Sequence, residues 1–216
     1  MAAVPDANSE IINQLYRASN LEELSEAYSL WAKTYEEDVE TGMGYTAPVV
    51  VTRVLAEYLR GSDHKILDAG CGTGLVGRAL KELGFLDIVG IDMNEEMLGL
   101  AQQKGVYRAL HRMTLGEPLD LESDTFDAVL CVGTFTYGHA PGSCLPEFVR
   151  VVKPGGYVLF TQRQDFYLDD GNGVRSHQTA LEQAGKWSLV SERENLPYLP
   201  TAEPGLGYNI WVYQRT

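Results

Sequence analysis

The sequence predicts an α/β fold built on a parallel, doubly wound sheet with helices on both faces. Three observations carry this. Lys65 to Gly77, KILDAGCGTGLVG, reads as strand, tight turn and helix: an apolar pair ends in Asp68, glycines follow at Gly70, Gly72 and Gly74, and a helix-like pattern runs on from Leu75. Through the middle of the chain, apolar runs alternate with helix-period segments, the β-α-β-α order that gives parallel sheets. FDAVLCVG, Phe126 to Gly133, is the clearest central strand in the sequence. A chain of 216 residues suits one domain of this kind, and a hydrophobic content of 44% is ordinary for a globular core.

The elements follow in order. From Leu21 the apolar positions Leu21, Leu24, Tyr28, Trp31 and Tyr35 recur at spacings of three and four, which predicts an amphipathic helix, with Asn20 as its cap and Glu23 three residues on. Trp31 and Tyr35 admit two readings, the apolar stripe of this helix or a lid over a bound ligand. EEDVETGMGYTAP is acidic and then glycine-bearing, so a loop is expected, able to carry Tyr45 across a pocket mouth. Pro48 suits the first turn of a second helix, striped by Val51, Val54, Leu55 and Tyr58 and ending at Gly61. Lys65 to Ala69 is the first strand, Leu75 to Leu83 a helix stopped by Gly84, and Asp87 to Ile91 a second strand closed by Asp92. Asn94 caps the next helix, NEEMLGLAQQ, whose first turn carries two acids where the helix dipole favours them. Tyr107 to Met113 is a polar third strand, FDAVLCVG the fourth, and LPEFVRVV the crossover helix behind it. KPGG turns the chain into a fifth strand, YVLFTQR. VRSHQTALEQAG is helical, and two last strands, KWSLVSERE and YNIWVYQR, break the alternation.

Seventeen Lys+Arg against thirty Asp+Glu leave a formal charge of -13, which repels phosphate backbones and anionic membrane surfaces, so neither nucleic acid nor membrane is expected as a partner. Cys71, Cys131 and Cys144 are too few and scattered for a disulfide framework and form no C-x-x-C pair, so no metal is expected and a reducing compartment fits, cytoplasmic or else nuclear. MAAVPDANSE has neither the basic nor the apolar stretch of a leader, and no run approaches the ~20 apolar residues of a membrane span.

The glycine turn lets a ligand lie directly against the backbone, and the helix after it offers unpaired N–H groups. Gly72, Gly74 and Gly77 satisfy G-x-G-x-x-G, with the acid Asp92 about twenty positions on, so an NAD(P)-dependent oxidoreductase is one reading. Asp68, directly before the turn, opposes a phosphate but suits a ligand amino group, directly or through water. Asp92 is placed to accept both ribose hydroxyls. Together these pull the reading towards a nucleoside cofactor without a pyrophosphate.

With ILDAGCGTG, GID (Gly90 to Asp92), FDAVLCVG and VVKPGGYVLF in one chain, the sequence resembles the class I S-adenosylmethionine-dependent methyltransferases from about Tyr28 to the C-terminus. Through YSLWAKTYEEDV, CGTGLVG and MTLGEPL it looks, more narrowly, like the methyltransferase-like proteins named for the Williams-Beuren syndrome chromosomal region. The resemblance implies a Rossmann-like seven-stranded sheet in the order 3-2-1-4-5-7-6 with strand seven antiparallel. It implies S-adenosyl-L-methionine, leaving as S-adenosyl-L-homocysteine, over the carboxyl ends of strands one to four. An N-terminal helical lid, residues 1–61, is expected to pack on the cofactor domain, residues 62–216, as one compact unit, with a monomer as the default.

Carried over residue by residue, Asp68, Gly70 and Gly72 meet the methionine portion with Cys71 as a small residue of the turn, Gly74 and Leu75 close the turn beneath the adenosine, and Asp92 holds the ribose. Met93 and Met97 flank the adenine or else belong to the core. Met113, Thr114 and Leu115 stand where many relatives carry an acid for the adenine amino group. Val132, Gly133 and Thr134 line the cofactor after strand four, and Trp31 and Tyr35 cover it. Tyr45, Phe135, Tyr137, His139 and Arg163 are candidates for the acceptor pocket, Tyr137 and His139 also for a general base. No obligatory catalytic residue is expected, because the sulfonium already makes the methyl electrophilic and the protein has mainly to align the reactants and exclude water. The region after strand four lacks N/D-P-P-Y/F, which leaves a small molecule or a protein as acceptor. A cofactor-binding regulatory module without transferase activity is the alternative.

Overall fold

A computed structural model describes residues 14–216 apart from Tyr16, Ser19, Tyr137 and Gly138. Helix α1 (Leu21–Trp31) starts under the Asn20 cap, whose side chain accepts from Glu23 N–H at 2.9 Å. It ends at Trp31 and does not run on to Tyr35: Thr34 N–H donates to Trp31 C=O at 3.0 Å, and the Trp31 indole donates to Asp38 Oδ2 at 2.7 Å. The acidic stretch expected as a loop is a π-helical turn, Glu37–Gly42, in which Met43 N–H reaches back to Asp38 C=O at 2.8 Å. Its acids hide an apolar pair, Val39 and Met43, four apart and both buried, which fold it inward. Helix α2 (Ala47–Tyr58) then opens with Pro48 in its first turn.

The sheet follows. Its elements are β1 (Lys65–Ala69), α3 (Leu75–Glu82), β2 (Asp87–Asp92), α4 (Glu95–Lys104), β3 (Ala109–Arg112) and β4 (Phe126–Phe135), then α5 (Leu145–Val151), β5 (Val152–Arg163), α6 (Gln164–Asp169), α7 (Val174–Gln183), β6 (Trp187–Pro197) and β7 (Gly207–Arg215). Seven strands lie in the order β3-β2-β1-β4-β5-β7-β6, parallel as far as β5, with β7 antiparallel to both its neighbours. Successive side chains leave a strand on opposite faces. Ile66, Ala128 and Leu159 therefore pack with Val51 and Leu55 of α2 and Val76 and Leu80 of α3, while Leu67, Val129 and Val158 join Phe148 of α5 on the other side. A third cluster, with Leu24, Trp31, Val39 and Met43 meeting Leu75 and Leu199, fastens the N-terminal segment to the domain.

Three boundaries differ from expectation. The third strand is only four residues long, because it lies at the sheet edge and Tyr107 stays outside it with its hydroxyl turned inward. The fifth strand takes in the KPGG turn, with Val152 pairing Phe126 before a register shift. Helix α6 was not expected; Asp165 starts it by accepting from Phe166 N–H and from the Arg163 guanidinium. Among the described residues, no helix is long and apolar enough to cross a membrane.

Candidate cofactor and acceptor site

The chain leaves β1 towards β2 on one side, while β4 pairs β1 on the other, so a crevice opens at the carboxyl ends of these strands. The glycine turn sits in its mouth. Gly70 N–H and Cys71 N–H both donate to Ile91 C=O, at 2.8 and 2.9 Å, which hooks the turn onto β2. Gly72 N–H donates to Asp92 Oδ2 at 2.8 Å, and Asn94 N–H donates to Asp92 Oδ1 at 2.9 Å. Gly72 has φ +52, and nothing lies within 4 Å of where a Cβ would stand, so the backbone is bare towards the cleft. At Gly70, φ +79, a Cβ would strike Thr134. Gly77 is needed for a different reason: a Cβ there would run into the Tyr107 ring. The third glycine of the dinucleotide pattern is thus accounted for by side-chain packing.

Asp68 lies behind the turn, fully buried. Its Oδ2 accepts from the Tyr107 hydroxyl at 2.6 Å, and Tyr107 in turn accepts from Gly77 N–H at 3.2 Å. Asp68 Oδ1 is buried without a hydrogen-bond partner among the described residues, as is Thr73 Oγ1. Burial, partly offset by the Tyr107 hydrogen bond, pushes the Asp68 carboxyl up to about 7. Burial also raises Asp92, against the pull of the Asn94 and Gly72 amides. Cys71 is pushed well up and Cys131 up to about 12, both chiefly by burial, so neither is a ready thiolate.

The cleft brings together Tyr35, Gly70, Cys71, Gly72, Leu75, Asp92, Met93, Met97, Met113, Thr114, Val132, Gly133 and Thr134, with Tyr45 and His139 on the same wall. Five anticipated residues stand elsewhere, and Gly74, φ +95, is one of them: a Cβ there would meet Tyr107 and Lys104. Asp68 is a layer back; Trp31 lines a smaller adjoining cavity; Phe135 is in the core against Phe160, ring centroids 5.4 Å apart; and Arg163 is 7% exposed, paired with Asp165 at 2.8 Å and Glu203 at 3.6 Å. Phe135 and Arg163 end strands β4 and β5, where the pleat turned them away from the opening. Tyr137 lies outside the described residues.

A family profile described as a methyltransferase domain matches residues 67–160. Methyltransferase-like protein 27 of Homo sapiens is 42% identical over 164 residues, 74% of this chain and 66% of that protein. Residues 67–160 thus match a methyltransferase domain, within a longer similarity to a methyltransferase-like protein. The Ubiquinone biosynthesis O-methyltransferase of Alkalilimnicola ehrlichii is 34% identical over 102 residues, 45% of this chain and 41% of that protein. The chain therefore spans just under two thirds of the first relative's length and about two fifths of the second's. The methyltransferase of Haloferax volcanii solved in complex with the Trm112 activator shares the fold, with a TM-score of 0.65, 18% identity, and 87% of this chain and 97% of that one covered.

The site fits S-adenosylmethionine on the chain's own features. Behind the turn a buried carboxylate oxygen, Asp68 Oδ1, has no hydrogen-bond partner among the described residues, the turn is bare at Gly72, and Asp92 keeps lone pairs after its two backbone bonds. Sequence reasoning missed Tyr28, Pro48, Thr73, Asn94 and Ala140 on this wall. Tyr28 had a signal, since it shares the stripe of Trp31 and Tyr35. Asn94 was read only as a helix cap, a role it fills by accepting from Met97 N–H at 2.9 Å, while its amide also donates to Ser25 C=O at 2.8 Å and ties α1 to α4.

Proposed function

We propose that the protein transfers the methyl of S-adenosylmethionine to a nucleophilic atom of an acceptor, with residues 1–61 acting as a lid on the cofactor domain, residues 62–216. The observation that carries this is Asp92: its carboxylate ends β2, holds the glycine turn through Gly72 N–H, and still has acceptor capacity on the cleft wall. Asp92 would take the ribose hydroxyls, Gly70 to Gly72 the methionine portion, and Asp68 would favour its ammonium through Oδ1. Met93, Met97, Met113 and Thr114 would surround the adenine with polarizable and hydroxyl groups in place of an acid. When bound, the cofactor supplies an electrophilic methyl on a cationic sulfur.

The chain's own part is alignment and exclusion of water. Tyr35 and Tyr45 of the N-terminal segment roof the cleft, and the Tyr45 hydroxyl stands 2.5 Å from where a Gly133 Cβ would be, so any larger residue at that position pushes the roof off. The named O-methyltransferase among the relatives makes a hydroxyl one acceptor to test. Calorimetric titration with S-adenosylhomocysteine is expected to give saturable binding that Asp92→Ala weakens. Labelled methyl should then pass from S-adenosylmethionine to a component of fractionated cell extract. Absence of binding by either cofactor form refutes the reading.

A further inference from the structure

Beside the cofactor cleft lies a smaller chamber of about 60 Å³, and Tyr28, Tyr35, Tyr45, Gly133 and His139 stand on the walls of both. Three distant stretches enclose it: the N-terminal segment, through Trp31 and Met43; the end of β4, through Thr136 and His139; and the β6–β7 loop, through Tyr198. Thr201 N–H donates to Met43 C=O at 3.2 Å and Tyr45 meets Tyr198 edge-on at 6.0 Å, so the loop clasps the N-terminal segment.

The lining is aromatic and, among the described residues, carries no Asp, Glu, Lys or Arg. The charges behind this lining are already engaged: Asp38 accepts from the Trp31 indole at 2.7 Å, and Arg163, 5.5 Å from the Tyr198 ring, pairs with Asp165 and Glu203. Burial raises Tyr35 and Tyr45 well above the usual phenol and pushes Tyr198 up to about 12, so these hydroxyls stay protonated and neutral. Two polar features break the apolar surface. His139 Nε2 is 2.7 Å from the Tyr28 hydroxyl, with the rings edge to face at 5.5 Å. Thr136, 5% exposed, has its Oγ1 buried without a hydrogen-bond partner among the described residues. A buried hydroxyl is unfavourable unless something completes it, and this one borders a cavity.

We propose that this chamber receives the methyl acceptor, and that the acceptor is a small uncharged molecule with an aromatic body and a hydroxyl, which Thr136 holds and His139 deprotonates. The proposal rests on the methyltransferase reading above. A charged acceptor would meet walls that, among the described residues, offer no charged side chain to pair with it, and a peptide would bring amide groups without partners. A flat ring matches walls of Tyr28, Trp31 and Tyr45 in offset or edge-on contact. As the new O–CH3 bond forms, the CH3–S bond breaks with its electron pair going to sulfur, and the hydroxyl proton passes to His139. His139 is thus a catalytic residue and Tyr28 a positioning residue that sets its ring. The chamber is below the ~150 Å³ that holds a benzene ring, so the clasp parts as the acceptor enters and Trp31 senses it.

The test uses the full chain with S-adenosylhomocysteine bound and catechol as probe, against benzylammonium, benzoate and a tyrosine-containing peptide. Catechol alone should give saturable heat and change the Trp31 fluorescence, a change that Trp31→Phe abolishes. Thr136→Val should weaken catechol about fivefold, the worth of one hydrogen bond, with S-adenosylhomocysteine affinity unchanged. In methyl transfer to catechol, His139→Ala should lower kcat about a hundredfold with little change in KM, and Tyr28→Phe should lower kcat less. Saturable S-adenosylhomocysteine binding with no catechol binding, or with the peptide or a charged probe preferred, overturns the acceptor proposal alone. Failure of S-adenosylhomocysteine itself to bind overturns the methyltransferase reading beneath it.

Discussion

Asp92 does two jobs, and a substitution should reveal both. Replacing it by alanine removes the ionised acceptor proposed for the ribose, at a cost on the order of 2–4 kcal/mol in cofactor affinity. It also leaves the Gly72 and Asn94 amides without their partner, so the free protein should lose on the order of 1–2 kcal/mol in chemical denaturation. An unchanged dissociation constant for S-adenosylhomocysteine would show that ribose is held elsewhere. Asp68 offers a pH signature. Its ordinary carboxyl value of 3.8 is raised to about 7 in the fold, chiefly by burial. Between these values the folded state keeps a proton that the unfolded chain has released, so stability falls as pH rises through that window. Below about pH 4 the group contributes nothing, and above about pH 7 the loss is complete, on the order of 4 kcal/mol. Asp68→Asn retains a partner for Tyr107 and removes the ionisation, so its denaturation midpoint should exceed the wild type's at about pH 8 and converge with it at about pH 4. A constant difference across that range rules the shift out.

At the level of elements, the N-terminal segment is tied to the domain by polar contacts as well as by its apolar cluster. Glu40 pairs with Arg78 of α3, Glu36 with Lys104 of α4, and Ser29 donates to Glu96 at 2.8 Å. Part-exposed pairs of this kind contribute up to about 1 kcal/mol each and weaken with salt. Combining Glu36→Gln with Glu40→Gln should therefore speed amide exchange across residues 35–45 while β4 keeps its protection, and salt at about 1 M should act the same way on the wild type. Equal exchange in the two proteins would mean that Leu24, Trp31, Val39 and Met43, with the Ser29 and Ser25 hydrogen bonds, hold the segment without these two ion pairs.

For the whole molecule, the decisive question is which nucleotide the fold recognises. At about a hundred times its dissociation constant a ligand adds roughly 2.7 kcal/mol, which for a chain of this length raises Tm by roughly 5–10 °C. S-adenosylhomocysteine should produce that shift and NAD(P) should not. Stabilisation by NAD(P) alone would hand the glycine turn back to a dinucleotide. The packing already leans against this, since Gly77 serves the Tyr107 ring and the buried Asp68 carboxylate stands directly behind the turn.

The sequence by itself determined the sheet alternation, the glycine turn, the caps Asn20 and Asn94 and the acid Asp92, because each is written in local periodicity or in a residue only a few places from its partner. The doubly wound middle followed from those signals; the strand order with β7 antiparallel came from the resemblance. Only the tertiary structure decided that Tyr107, 39 positions from Asp68, turns its hydroxyl to that carboxylate. It alone decided that Tyr28 meets His139 across 111 positions and that Thr201 clasps Met43. Phe135 and Arg163 were sent the other way, into packing and ion pairs, by the pleat of their strands. A cleft wall is assembled from residues that share no sequence period, and which of them point into it depends on how the strands twist and how the N-terminal segment docks.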